Sequence, residues 1–140
     1  MLPQIKTFVM NHWALCALFL MVLLALITEE VRVARSRRNF LSVFDTTQLI
    51  NHENAIVLDV RDPALFREGH IVNAKNIALS DFDRQIEKLD AQAAIIVVDA
   101  LGDKTLDLIE RLKSRGFQKV YALKGGMESW KLESMPLTKS

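Results

Sequence analysis

Ala93-Ala94-Ile95-Ile96-Val97-Val98, running straight into Asp99, is the stretch that decides how this chain folds. Six apolar residues follow one another without polar alternation, and four of them are β-branched. A strand with one wet face alternates; an unbroken run of this length suits a parallel strand buried on both faces. Working outward, Ala55-Ile56-Val57-Leu58-Asp59-Val60 and Val120-Tyr121-Ala122-Leu123 read the same way, and Leu41–Phe44 and Ala74–Ile77 are weaker candidates.

Helices are expected between these runs. Thr105 to Arg115 is the clearest: Leu108, Ile109 and Leu112 line one face, Asp107, Glu110, Arg111 and Lys113 lie off it, and Gly116 stops it. Asp45 or Thr46 is placed to cap a short helix through about His52, with Gln48 completing a capping box, and Ser80 with Asp83 offers the same signal ahead of Phe82, Ile86 and Leu89. Alternating strands and helices imply an α/β fold, an open parallel sheet with helices on both faces. Ligands of such sheets gather beyond the carboxyl ends of the strands. That marks Asp59–Asp62, Asp99–Lys104 and Lys124–Gly126.

The amino-terminal part is different in kind. Phe8 to Thr28 holds no acidic or strongly basic side chain, and Trp13 to Ile27 is wholly apolar. As a helix these 21 residues span about 31 Å, the thickness of a bilayer's hydrocarbon core. Apolar side chains fill every face, which excludes an amphipathic surface helix. A cleaved signal peptide fits poorly, because Lys6 alone precedes the run and no small-residue cleavage site follows it. One transmembrane helix is therefore expected, with interfacial His12 and Trp13 and no small-xxx-small pairing stripe. The expected organisation is a tail at 1–7, a span at 8–28, a basic juxtamembrane linker at 29–40 and an α/β domain at 41–140.

Charge sets the expected orientation. The whole chain carries +1, which gives no field for nucleic acid, and no nucleic-acid partner is expected. Residues 29–38 hold Arg32, Arg35, Arg37 and Arg38 against Glu29 and Glu30, whereas residues 39–140 hold 13 basic and 15 acidic side chains. The basic collar places the carboxyl-terminal domain in the cytoplasm and the amino terminus outside. It also offers a surface for anionic lipid, although topology alone accounts for it. The lone cysteine, Cys16, lies in the span, so no intrachain disulfide forms, and His12, His52 and His70 lack ligand spacing. No metal and no cofactor are expected.

Asp59-Val60-Arg61, then Phe66-Arg67-Glu68-Gly69-His70-Ile71 and Ala74-Lys75-Asn76-Ile77, resembles the first signature of rhodanese domains. Gly116-Phe117-Gln118-Lys119-Val120-Tyr121 and Leu123-Lys124-Gly125-Gly126-Met127-Glu128-Ser129-Trp130 resemble the closing signature. The resemblance covers about Ser42 to Leu137, and with the anchor it is similar to small inner-membrane rhodanese proteins of bacteria. It implies a cysteine directly after the central strand, which takes sulfane sulfur as a persulfide inside a loop of inward-facing amides. Here the loop reads Asp99-Ala100-Leu101-Gly102-Asp103-Lys104, leading into Thr105, and Asp99 stands in the cysteine's place. A carboxylate cannot carry a persulfide, and a loop of charge −1 repels a dianionic donor. The resemblance therefore implies no sulfurtransferase catalysis.

Three readings follow. In the first, the domain is a degenerate sulfurtransferase homologue that docks another protein, such as a membrane protein, with Asp99 accepting the loop's own N–H groups. In the second, Asp59, Asp62, Asp99 and Asp103 converge, with Thr105 and Lys124 nearby, to hold Mg²⁺ or to let Asp99 accept a phosphoryl group; Leu101 breaks the D-x-D-x-T pattern that would favour this. In the third, the domain receives a persulfide-bearing partner without carrying sulfur itself. Arg61 is expected to pair with Glu68 or Asp62, His70 to make a packing or backbone contact, Trp130 to serve as a core or lid aromatic, and Gly125-Gly126 to form a tight turn with weak phosphate-binding character.

Overall fold

Buried on both faces, a strand needs neighbours on both edges and apolar layers above and below it. The computed structural model, which describes residues 1–140, supplies both. Five strands, β1 (Phe40–Leu41), β2 (Ile56–Asp59), β3 (Lys75–Asn76), β4 (Ile95–Val98) and β5 (Val120–Leu123), form one sheet in the order β1-β5-β4-β2-β3. Every pairing is parallel. The decisive run is the middle strand, and all four β4 side chains are fully buried.

Side-chain alternation along β4 divides the core in two. Ile95 and Val97 join Leu58, Val120 and Ala122 beneath α5 (Phe82–Ile86) and α6 (Thr105–Ser114), where Phe82, Ile86, Leu108, Ile109 and Leu112 close that layer. Ile96 and Val98 join Val57 and Leu123 on the other face, against Val43 of α3 (Val43–Glu53) and Met127 and Trp130 of α7 (Gly126–Leu132). The fold is the expected open parallel sheet with helices on both faces. A short helix α4 (Pro63–Glu68) follows β2, and a 3₁₀ turn (Leu79–Asp81) precedes α5.

Local starts and stops correct the sequence in places. Helix α3 begins earlier than expected: Ser42 is the cap, its Oγ accepting the Asp45 N–H at 3.1 Å and donating to the Asp45 carboxylate at 2.8 Å. Asp45 and Thr46 lie inside the helix, and of Leu41–Phe44 only Leu41 is strand, while Val43 and Phe44 are already helical. The Ser80 side chain caps nothing; the 3₁₀ turn occupies that position. Helix α6 ends at Ser114, and Gly116 beyond it sits at φ +95°, where a stop requires a residue without Cβ.

The amino-terminal unit, Met1–Arg37, is compact in its own right and distinct from Arg38–Ser140. It consists of α1 (Leu2–Asn11), a break at His12, and α2 (Trp13–Arg37). No α2 side chain is buried, and the helix is long and apolar enough to cross a membrane. It does not end with the apolar run: the stretch read as a linker stays helical through Arg37.

Phe82 is fully buried at the centre of one layer. Its replacement by alanine is expected to lower the unfolding free energy of the Arg38–Ser140 unit by about 3–5 kcal/mol in urea denaturation.

Candidate functional site

Asp99 is the first residue after β4, and only 5% of its surface is exposed. A buried carboxylate needs donors, and its own loop provides them. One oxygen accepts the Gly102 N–H and the other the Lys104 N–H at 3.0 Å. Hydrogen bonds to a charged group are worth about 1.5–3 kcal/mol each, so the side chain pulls the loop closed around itself. The Thr105 Oγ, fully buried, donates to the Gly102 carbonyl at 3.3 Å and ties the loop to the first turn of α6.

The other side of the loop is held by the turn after β5. Met127 and Glu128 N–H groups donate to the carbonyls of Asp99 and Ala100 at 2.9 and 3.1 Å. This contact requires glycine twice. Gly126 has φ +60°, and a Cβ there would stand 2.5 Å from the Asp99 carbonyl oxygen. Gly102 has φ +85°, and its Cβ would stand 3.0 Å from the Gly125 nitrogen. The amides that follow the Gly125-Gly126 turn are therefore spent on the loop backbone. Ala100, Leu101, Asp103 and Lys104 are exposed around this closed core, as is Lys124, whose backbone N–H donates to Leu41.

Asp59 and Arg61 form a second arrangement. Asp59 ends β2, and both residues are buried. The guanidinium meets the Asp59 carboxylate through Nε at 2.9 and 3.1 Å and through Nη2 at 2.7 Å, and Nη2 also donates to the Gly69 carbonyl at 2.8 Å. Asn76 on β3 donates to the Asp59 and Arg61 carbonyls at 3.0 and 2.9 Å. Arg61 thus pairs with Asp59, not with Glu68 or Asp62: the 2-residue offset lets a buried fork meet a buried carboxylate, whereas Asp62 and Glu68 are exposed. Sequence reading missed this role for Asn76; the visible signal was Asp59 interrupting an apolar strand.

The acidic residues at the strand ends do not assemble a cation site. No group of three or more His, Cys, Asp or Glu side chains is placed to hold a metal ion. Asp59 is engaged by Arg61 and Asp99 by loop amides. His70 makes the backbone contact expected of it, Nδ1 to the Phe66 carbonyl at 2.7 Å, with its ring stacked on Phe66. Trp130 is a core aromatic whose Nε1–H donates to the Pro136 carbonyl at 3.1 Å.

Comparison with known proteins agrees with this geometry. Residues 44–133 match the model of the family described as "Rhodanese-like domain". The chain is 30% identical to the Escherichia coli protein YibN, described as uncharacterized, over 99% of each chain. It is 30% identical to the Coxiella burnetii thiosulfate sulfurtransferase GlpE over 65% of this chain and 85% of that one. The crystal structure of a rhodanese-related protein from Thermoplasma volcanium superposes with a TM-score of 0.66 at 26% identity, covering 73% of this chain and 99% of its own. Cys16 is the only cysteine here, and it lies outside the matched residues.

Asp99→Ala removes the acceptor for two loop amides. Amide exchange at Gly102 and Lys104 is expected to rise by at least tenfold, read by hydrogen–deuterium exchange, while β4 amides keep their protection. Asp59→Asn leaves the Arg61 guanidinium buried without its counter-charge, and about 3–5 kcal/mol of unfolding free energy should be lost in urea titration.

Proposed function

The chain belongs to the rhodanese-like domain family, and from that membership and the closed Asp99 loop we propose that it is a degenerate family member, anchored in the bacterial inner membrane, that works as a protein-docking module. The observation that carries this reading is the Asp99 carboxylate bonded to the Gly102 and Lys104 amides. In the family's chemistry those amides face the sulfur carried on cysteine. Here a built-in anion of fixed position takes them, so the loop is a finished surface rather than an empty cradle. Asp99, Ala100, Leu101, Gly102, Asp103 and Lys104 form the docking loop, with Thr105, Lys124, Gly125 and Gly126 as its frame.

The anchor sets where docking happens. Residues 8–28 span the bilayer, the amino terminus lies outside, and the domain at 41–140 works at the cytoplasmic face, because the basic side chains collect after the span. The likeness to YibN runs through the anchor as well as the domain, which supports treating the two parts as one functional unit. A protein held at this face meets membrane proteins and their cytoplasmic segments first, and these are the partners proposed. The Mg²⁺ reading has no supporting group of three or more metal-binding side chains.

The test is sulfur transfer from thiosulfate by the full-length chain in detergent, beside its Asp99→Cys variant. Wild type is expected to stay at background and the variant to gain measurable transfer, because the surrounding loop and α7 turn are kept. Transfer by wild type would refute the degenerate reading. A folded Asp99→Cys variant without activity would show that the loop has been rebuilt beyond its nucleophile. Docking of a persulfide-bearing partner predicts, in addition, a complex that dissociates when the partner is reduced.

A further inference from the structure

Four arginines lie between the apolar run and the first strand, and their placement goes beyond topology. Helix α2 continues to Arg37, ten residues beyond Ile27. Arg32, Arg35 and Arg37 therefore ride on a regular helix, and Arg38 follows in the turn. At 1.5 Å per residue, Arg32 stands about 7 Å and Arg37 about 15 Å past the apolar run. The headgroup layer is about 5–7.5 Å thick on each side, so Arg32 stands at its outer edge and Arg35 and Arg37 stand beyond it, where a long side chain folds back toward phosphate.

Their pairing leaves this charge open. Glu29 approaches Arg32 at 3.9 Å, with both side chains exposed, so that pair contributes little. Within Met1–Arg37, Arg35 and Arg37 form no ion pair and no side-chain hydrogen bond, and Glu30 pairs with neither. The carbonyl end of α2 attracts Arg35 and Arg37, which explains their position but leaves the five N–H groups of each guanidinium without acceptors.

Residue type separates recognition from topology. Lysine and arginine serve the positive-inside rule equally, yet residues 29–38 contain four arginines and no lysine, while residues 39–140 contain eight lysines and five arginines. Arginine differs from lysine in presenting a planar fork that matches phosphate oxygens two at a time. We propose that Arg32, Arg35 and Arg37 on the extension of α2 form a binding site for the phosphate groups of anionic phospholipids at the membrane face. The inference rests on α2 crossing a bilayer, and the two are tested separately.

Resistance of the full-length chain to alkaline carbonate extraction from phosphatidylcholine vesicles reports the span. Native mass spectrometry of the delipidated full-length chain, titrated with equal amounts of phosphatidylglycerol and phosphatidylcholine, reports the site. Wild type is expected to retain phosphatidylglycerol in preference on the order of tenfold, and each single variant Arg32→Gln, Arg35→Gln and Arg37→Gln to bring that preference down about fivefold. The corresponding lysine variants keep the charge and are expected to fall between wild type and glutamine. Inorganic phosphate should not displace the lipid. Equal retention of both lipids, glutamine variants that keep the preference, lysine variants equal to wild type, or displacement by inorganic phosphate would each overturn the assignment. Loss of the chain in carbonate would overturn the span and the site together.

Discussion

A carboxylate at the end of a fully buried strand has to find hydrogen-bond donors, and the shape of the loop after β4 follows from how Asp99 meets that need. It lies almost wholly out of water, and no cation bonds to it. The nearest donors are the backbone amides of its own loop, Gly102 and Lys104. Reaching them demands a left-handed residue at 102 and close approach of the β5–α7 turn, which is why Gly102 and Gly126 occupy positions that a Cβ would obstruct. The amides at the start of α7 then complete the arrangement by taking the carbonyls of Asp99 and Ala100. Loop, turn and helix are one closed hydrogen-bonded unit built around a single side chain.

Asp59 solves the same problem by other means, and the contrast is instructive. It occupies the end of β2, paired in register with Val98 next to Asp99. Its partner is a guanidinium two residues on, whose Nη2 also donates to the Gly69 carbonyl. A buried ion pair of this kind is weak evidence for stability but costly to break. Here it joins the end of β2 to the segment after α4, while Asn76 joins it to β3. Two adjacent strand ends thus carry two aspartates, and both are consumed internally. No three of the acidic side chains that the sequence places at this edge gather to hold a metal ion.

Much of the fold was legible because burial dominates it. Ile95–Val98 and Val120–Leu123 could only be strands buried on both faces, and the apolar face of α6 was visible as Leu108, Ile109 and Leu112. What was not legible is set by short-range competition between hydrogen-bond partners. Ser42 outcompeted Asp45 and Thr46 as a cap because its hydroxyl bonds the Asp45 amide and carboxylate together. Arg61 chose Asp59 over Asp62 and Glu68 because a buried partner loses less to water than an exposed one. Around Asp99 the residues were legible from the resemblance, but the direction of the carboxylate was not, since sequence does not show which amides face inward. The reach of α2 beyond Ile27 was hidden for a related reason: Thr28 to Arg37 contains no proline or glycine to stop a helix, and charge alone does not end one.

These constraints bear differently on the likeness to a thiosulfate sulfurtransferase. The sheet, the two apolar layers and the glycine turns define a scaffold on which such a loop can be presented, and they are independent of what stands at position 99. Chemistry resides in that one side chain and in the electrostatics it creates. Replacing a nucleophilic sulfur by a carboxylate exchanges a site that waits for an anion for one that already contains it. The closed loop leaves Leu101, Asp103 and Lys104 exposed around the buried carboxylate. The scaffold is kept while its nucleophile is absent, on a chain with a helix long and apolar enough to cross a membrane.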